Sequence, residues 1–200
     1  ELKVGEIPAD MLEKAKNARS LLVEAAVEAD DELMMRFLDE GEESITEDEL
    51  KKALRTRVLQ GDFFLVTGGD YRGVIVEKVL DLINEYLPSP LDIGETWGKN
   101  PKTGEEISRK PSNDEPMSAL AFKIATDPYV GKLIFIRVYS GVLKAGSYIL
   151  NTTTGEKERV GRLVRMHADK REDITEIGAG DIAAVVGLKN TTTGATLSDV

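Results

Sequence analysis

The sequence predicts an α+β chain in two parts, with helices first and an antiparallel β-barrel last. Apolar residues recur at three- and four-residue spacing through much of residues 8–87, the period of a helix with one buried face. After Pro116 the period drops to two, as in Ile134, Ile136 and Val138 with Phe135, Arg137 and Tyr139 on the opposite face. Glycines at 141, 146, 155, 180, 187 and 194 then divide the chain into short segments, the spacing expected of a closed barrel.

The elements follow in order. Pro8 suits the first turn of a helix whose stripe runs through Met11, Leu12, Ala15, Ala18, Leu21, Leu22, Ala25 and Ala26. A second helix carries Leu33, Met34, Phe37 and Leu38, and Gly41 stops it. Thr46 and Glu49 have capping-box spacing and open a third helix, with Leu50, Ala53, Leu54 and Val58 inward and Gly61 at its end. Residues 63–66 form a continuous apolar run, read as a strand buried on both faces. A glycine turn at residues 68–70 leads into a helix over 74–87, with Val76, Val79, Leu80, Ile83 and Leu87 inward, until Pro88 and Pro90. Residues 91–115 are polar and rich in Gly, Pro, Lys, Glu and Asn, and are read as a linker between domains at 1–90 and 116–200. Leu120, Phe122 and Ile124 alternate at the start of the barrel.

Composition excludes several functions. With no cysteine there is neither a disulfide framework nor a thiolate metal site. A single histidine rules out a histidine-cluster zinc centre or a Ser-His-Asp triad built from this chain alone. No apolar run approaches the ~20 residues needed to span a bilayer, no signal peptide is evident, and a cytoplasmic protein is expected. The first residue is Glu1 rather than Met, so the chain is expected to be a fragment or a processed product. Of the net charge of −10, residues 1–60 carry 16 acids against 9 bases, while residues 111–200 carry 11 of each. An acidic first half repels phosphate, leaving the second half as the place for a local basic patch.

Several stretches of the second half resemble the elongation factor G family of translational GTPases. Residues 121–124 and 127–133 are similar to the opening of its domain II, and residues 136–146 to the barrel hairpin that translational GTPases share. Residues 151–155, 162–168, 178–182, 185–188 and 193–197 continue the likeness. Upstream, residues 86–93 look like the exit from the GTP-binding domain, and the helices of 8–60 resemble its inserted G′ subdomain. The resemblance implies the end of a P-loop GTPase domain followed by a translation-factor domain II barrel. It implies a parent that hydrolyses GTP with Mg while driving tRNA and mRNA along the ribosome. The barrel would dock on small-subunit ribosomal RNA and pack on the parent's GTP-binding domain. Ribosome-protection and release-type GTPases share the barrel hairpin, and a stand-alone protein- or RNA-binding adaptor is the alternative from another class.

The phosphate-binding loop, switch regions and base-reading motif are not in these 200 residues, so no catalytic residue and no bound cofactor or metal is expected in the chain itself. The guanine-loop position of the family falls on Thr67, Gly68 and Gly69, where the sequence is degenerate and a tight glycine turn is the plainer reading. Arg137, Lys144, Lys157, Arg159, Arg162 and Arg165 are the candidates for ribosomal RNA contact, with Lys123, Lys170 and Arg171 beside them. Glu156, Glu158, Asp169, Glu172 and Asp173 interrupt this set, and a salt-bridged surface is the alternative. His167 reads as a structural turn residue, and Trp97 as packing on nearby turns. The acidic run Glu40, Glu42, Glu43, Glu47, Asp48 and Glu49 lacks the spacing of a calcium loop and reads as a solvated face.

Overall fold

The computed structural model describes residues 5–68, 73, 75–101, 103–127, 130–168 and 170–199. Two compact units divide between Pro88 and Ser89. The fold is a mixed one, helical in the first unit and an antiparallel sheet in the second.

In the first unit, α1 (Leu12–Val27), α2 (Asp31–Glu40), α3 (Glu47–Gln60) and α4 (Val76–Tyr86) surround one small core. Local chemistry sets the boundaries. The Asp30 carboxylate accepts the Glu32 and Leu33 amides and starts α2; Gly41, at φ 85°, ends it. Thr46 and Glu49 form the expected capping box, and Gly61 closes α3 in the left-handed region. Val23, Ala26 and Val27 meet Ile45, Leu50, Ala53, Leu54 and Tyr86, with Leu33, Met34 and Phe37 packed against them. Arg57 braces this core. Its guanidinium donates to the Ala25 carbonyl at 2.7 Å, pairs with Glu28 at 2.5 Å and lies 4.8 Å from the Phe63 ring centroid.

Three expectations for this unit are corrected. The buried face of α1 is Val23, Ala26 and Val27, while Leu21 and Leu22 face water. Leu21, Leu22 and Val23 are contiguous, so the pattern fits two rotations of the helix, and the core takes the one that buries Val23, Ala26 and Val27. Residues 63–66 form no strand, and Phe64 and Val66 are 85% and 95% exposed. No neighbouring strand in the described residues offers a ladder to this segment. On α4, Tyr86 is buried and Leu82 packs on the core, whereas Val76, Leu80, Ile83 and Leu87 are exposed. Residues 69–72 and 74, most of the expected glycine turn, lie outside the described residues.

The second unit begins with α5 (Pro90–Ile93), capped by Ser89 and Asp92. β1 (Thr96–Lys99) and β2 (Glu106–Arg109) follow as an antiparallel hairpin. The stretch read as a linker thus contains α5 and a paired hairpin, at 96–99 and 106–109. Asn100 closes the tip, its amide donating to Glu105 O at 2.9 Å and its carbonyl accepting from the Gly104 amide at 2.8 Å. The hairpin has no apolar alternation because its strands are short and partly exposed.

The barrel strands are β3 (Ser118–Asp127), β4 (Gly131–Ser140), β5 (Leu143–Lys144), β6 (Tyr148–Asn151), β7 (Glu156–Arg159), β8 (Arg162–His167), β9 (Lys170–Ile174), β10 (Glu176–Ile177), β11 (Ile182–Val186) and β12 (Thr196–Ser198). Eight of them make one sheet in the order β7-β6-β12-β3-β4-β11-β8-β9, and β5 pairs with β10. The sheet curls, so inward residues from strands far apart in the ladder share one core. Ala119 and Ala121, Ile134, Ile136 and Val138, Ile149, Leu163, Ala183 and Val185, and Leu197 all join it. Ile134, Ile136 and Val138 point inward as their alternation requires. In β3 the inward residues are Ala119 and Ala121, and a register shift between Ala121 and Lys123 leaves Phe122 39% exposed. Both sheet edges, β7 and β9, are charged strands, which discourages pairing with further chains.

Two close approaches fix the curl. Gly141, at φ 69°, lies so near the chain before β3 that a Cβ there would sit 2.6 Å from Glu115 O and from Met117 N and Cα. Gly161 separates β7 from β8, donates its amide to Val186 O at 3.0 Å, and a Cβ there would sit 2.6 Å from that carbonyl.

Candidate nucleic-acid interface

Strand alternation sorts the basic residues. On β7, Lys157 and Arg159 point outward and Glu158 points inward, where it is 7% exposed. The Glu158 carboxylate accepts the Lys189 amide at 2.6 Å, the Asn190 amide at 2.9 Å and the Thr191 hydroxyl at 2.5 Å. Asn151, also fully buried, donates to Thr191 at 3.4 Å. Burial opposes ionisation of Glu158, but the hydrogen bonds from Thr191, Asn190, Lys189 and Asn151 outweigh it and hold the carboxyl below its ordinary value. Glu156 takes a 2.5 Å hydrogen bond from the Asn190 side chain. The acids expected to interrupt the β7 cations are thus engaged with the β11–β12 loop.

The remaining candidates stand apart. Lys144 faces Glu176 at 3.9 Å, Arg162 faces Asp173 at 3.9 Å and Arg165 faces Asp181 at 3.8 Å. Arg171 pairs with Asp127. Lys123 lies over the Phe135 ring and Arg137 over the Tyr139 ring, at 5.7 and 5.3 Å from the centroids. Among the described residues, Lys157 and Arg159 have no ion-pair partner; Arg159 Nε donates to Gly146 O at 3.5 Å. Arg159 and Arg165 sit on different strands, β7 and β8, which are not neighbours in the sheet. His167 ends β8, exposed, with Nε2 3.8 Å from Glu172. Thr67 and Gly68 are exposed and irregular, and Gly69 is outside the described residues.

A groove of about 520 Å³ adjoins the β6–β7 face. Its floor is the outer face of the barrel, from Leu120, Tyr139, Leu150 and Thr196, and its wall is the β1–β2 hairpin with Trp97, Lys99 and Arg109. Trp97 is 69% exposed rather than packed on turns. The groove was not legible in the sequence, because hairpin and floor are separated by up to about a hundred residues. The signal available was the lone tryptophan in a polar segment.

The acidic run of the first unit is used locally. Glu42 pairs with Arg19 at 3.1 Å and accepts from Ser20 at 2.7 Å, and Glu47 pairs with Lys51 at 2.9 Å. Glu49 pairs with Arg36 at 2.6 Å; that hydrogen bond, with those from the Thr46 amide and hydroxyl, holds its carboxyl down to about 2. Among the described residues, no group of His, Asp and Glu is arranged to hold a metal ion. No described helix is long and apolar enough to cross a membrane.

Residues 131–198 match the family model of elongation factor Tu domain 2. The match begins with β4 and ends with β12, so it covers most of the curled sheet and identifies it as a barrel of the translation-factor domain II type. The whole chain is also similar to a protein from Thermus thermophilus of known crystal structure, with a TM-score of 0.72 and 26% identity. The chain spans 27% of the length of that protein.

Proposed function

We propose that this chain is part of a ribosome-dependent translational GTPase of the elongation factor G kind, and that it contributes docking and coupling rather than chemistry. The observation that carries the reading is the domain II barrel. A likeness that runs through the helical unit as well supports it, since an isolated barrel would match only in its own half. In this reading residues 1–90 belong to the end of a GTP-binding domain with part of its G′ insert. GTP or GDP with Mg would bind the parent protein through residues beyond this chain, and translocation of tRNA and mRNA would be the parent's activity. The chain's partners are then small-subunit ribosomal RNA, through the barrel, and the parent's GTP-binding domain, in the cytoplasm.

The chemistry at hand suits a passive foothold. The candidate residues Arg137, Lys144, Lys157, Arg159, Arg162 and Arg165 all lie on strands of the barrel, which hold charges at fixed spacing without the entropy loss of ordering a loop. The test is co-sedimentation of the 200-residue chain with isolated small ribosomal subunits across a salt series. Binding that falls steeply with salt supports the reading. Absence of binding at low salt refutes docking by this chain.

A further inference from the structure

We propose that the hairpin groove and the adjoining outer face of β6–β7 bind a single-stranded RNA segment, with an unpaired base stacked on Trp97 and phosphates on Lys157 and Arg159. The inference rests on the docking reading above and adds its place and chemistry.

Three observations converge. The first is continuity: Leu150 lines the groove and lies directly across from Lys157, and Tyr148, 63% exposed, lies across from Arg159. Groove and strand pair therefore meet at Leu150, with Trp97 exposed on the groove wall and Tyr148, Lys157 and Arg159 exposed on the strand pair. That combination suits single strands, whose bases stack on aromatic faces while the backbone follows positive charge. The second is charge. In a chain of net charge −10, the groove lining holds Lys99 and Arg109 against Asp199, with Glu106 across the hairpin from Lys99, and the adjoining β7 face adds Lys157 and Arg159. Glu158, between the two β7 cations in sequence, is turned into the barrel and held there by the amides of Lys189 and Asn190. The third is contrast: Lys144, Arg162 and Arg165 are each matched by an acid, and Arg137 lies over the Tyr139 ring, so these candidates offer phosphate less. The groove volume lies in the range of sites that hold one small ligand group such as a base. Duplex RNA keeps its bases stacked inside the helix, where Trp97 cannot reach their faces.

Trp97 is the sole tryptophan, so its fluorescence reports on the site without labelling. The full 200-residue chain is titrated with a mixed-sequence single-stranded RNA of about twelve nucleotides and with the same sequence as a duplex. Affinities are read in parallel by anisotropy of labelled RNA. The expected result is Trp97 quenching by the single strand, weaker binding of the duplex, and about tenfold weaker single-strand binding by Trp97→Ala. Lys157→Ala with Arg159→Ala should flatten the slope of log K against log salt by about 1.4, or about 0.7 per lost phosphate contact. All three side chains are exposed, and far-UV circular dichroism of the variants should match the parent chain. RNA binding without quenching, equal affinity of Trp97→Ala, or equal binding of duplex each overturns the proposal. So does quenching by an amphipathic peptide with no RNA binding, which assigns the groove to a protein. Small-subunit co-sedimentation of the same variants separates the two claims. Sedimentation that survives all three substitutions overturns the groove assignment and leaves docking intact, whereas a parent chain that never sediments overturns docking itself.

Discussion

Replacing Glu158 should destabilise the barrel more than its place on a charged edge strand suggests. Glu158→Ala removes an acceptor for two backbone amides and one hydroxyl, at 2.6, 2.9 and 2.5 Å. Hydrogen bonds to charged groups contribute about 1.5–3 kcal/mol each, and donors left unsatisfied cost about 1–3 kcal/mol. Against this stands the cost of burying the carboxylate, which the substitution relieves. A net loss of about 3 kcal/mol is expected, with Glu158→Gln losing about half of that because an amide oxygen still accepts. Urea unfolding followed by backbone amide exchange in residues 118–198 measures it. The pH dependence has a definite sign. The folded carboxyl titrates below its unfolded value, so its stabilisation is present above an unfolded pKa of about 4.3 and is lost as pH falls through the folded value. Glu158→Gln should therefore show a shallower loss of stability below about pH 4. A Glu158→Ala variant within about 0.5 kcal/mol of the parent, with the same acid profile, would refute the idea that this network locks the β11–β12 loop.

Other substitutions test separate parts of the structure. Ile136→Ala, at a position with no exposure in the barrel core, should cost about 2–5 kcal/mol in denaturant unfolding. Gly141→Ala meets backbone at 2.6 Å from a positive φ and should cost more than about 2 kcal/mol; a variant as stable as the parent would show that the strand entry can shift. Thr46→Ala removes the α3 cap and should cost the helical unit about 1 kcal/mol, seen as lower helicity on mild heating. With its carboxyl near 2, Glu49 should keep the Arg36 pair and the cap at about pH 3, a condition readable from the Thr46 amide shift in NMR.

Much of the fold is written in local sequence and some of it is not. The Thr46–Glu49 box and the Ile134–Val138 alternation depend on neighbours three and two residues away, and both appear as read. Residues 63–66 depend on a ladder partner far away in the chain, and an apolar run alone does not supply one. The α4 helix is legible from its period, but which side is buried depends on the rotation at which it meets α3, and the core takes Leu82 and Tyr86. The hairpin at 96–109 hides because its strands are polar and only four residues long. For the site, the sequence offers Lys157 and Arg159 as candidates but reads Glu158 as interrupting them, because the bounds of β7 that put Glu158 on the opposite face are seen only in the structure. What sequence could not give was the inward anchoring of Glu158 by residues 189–191, which turns an interrupted charge run into an uncompensated pair.

Tethered hydroxyl-radical probing would test the central claim most directly. An iron chelate on a cysteine placed at Thr153, in the turn between β6 and β7, would be bound with whole ribosomes and the cleaved RNA mapped. Cuts confined to one neighbourhood of small-subunit ribosomal RNA are expected if the barrel is a docking domain. Cuts absent, scattered, or confined to the large subunit would contradict it.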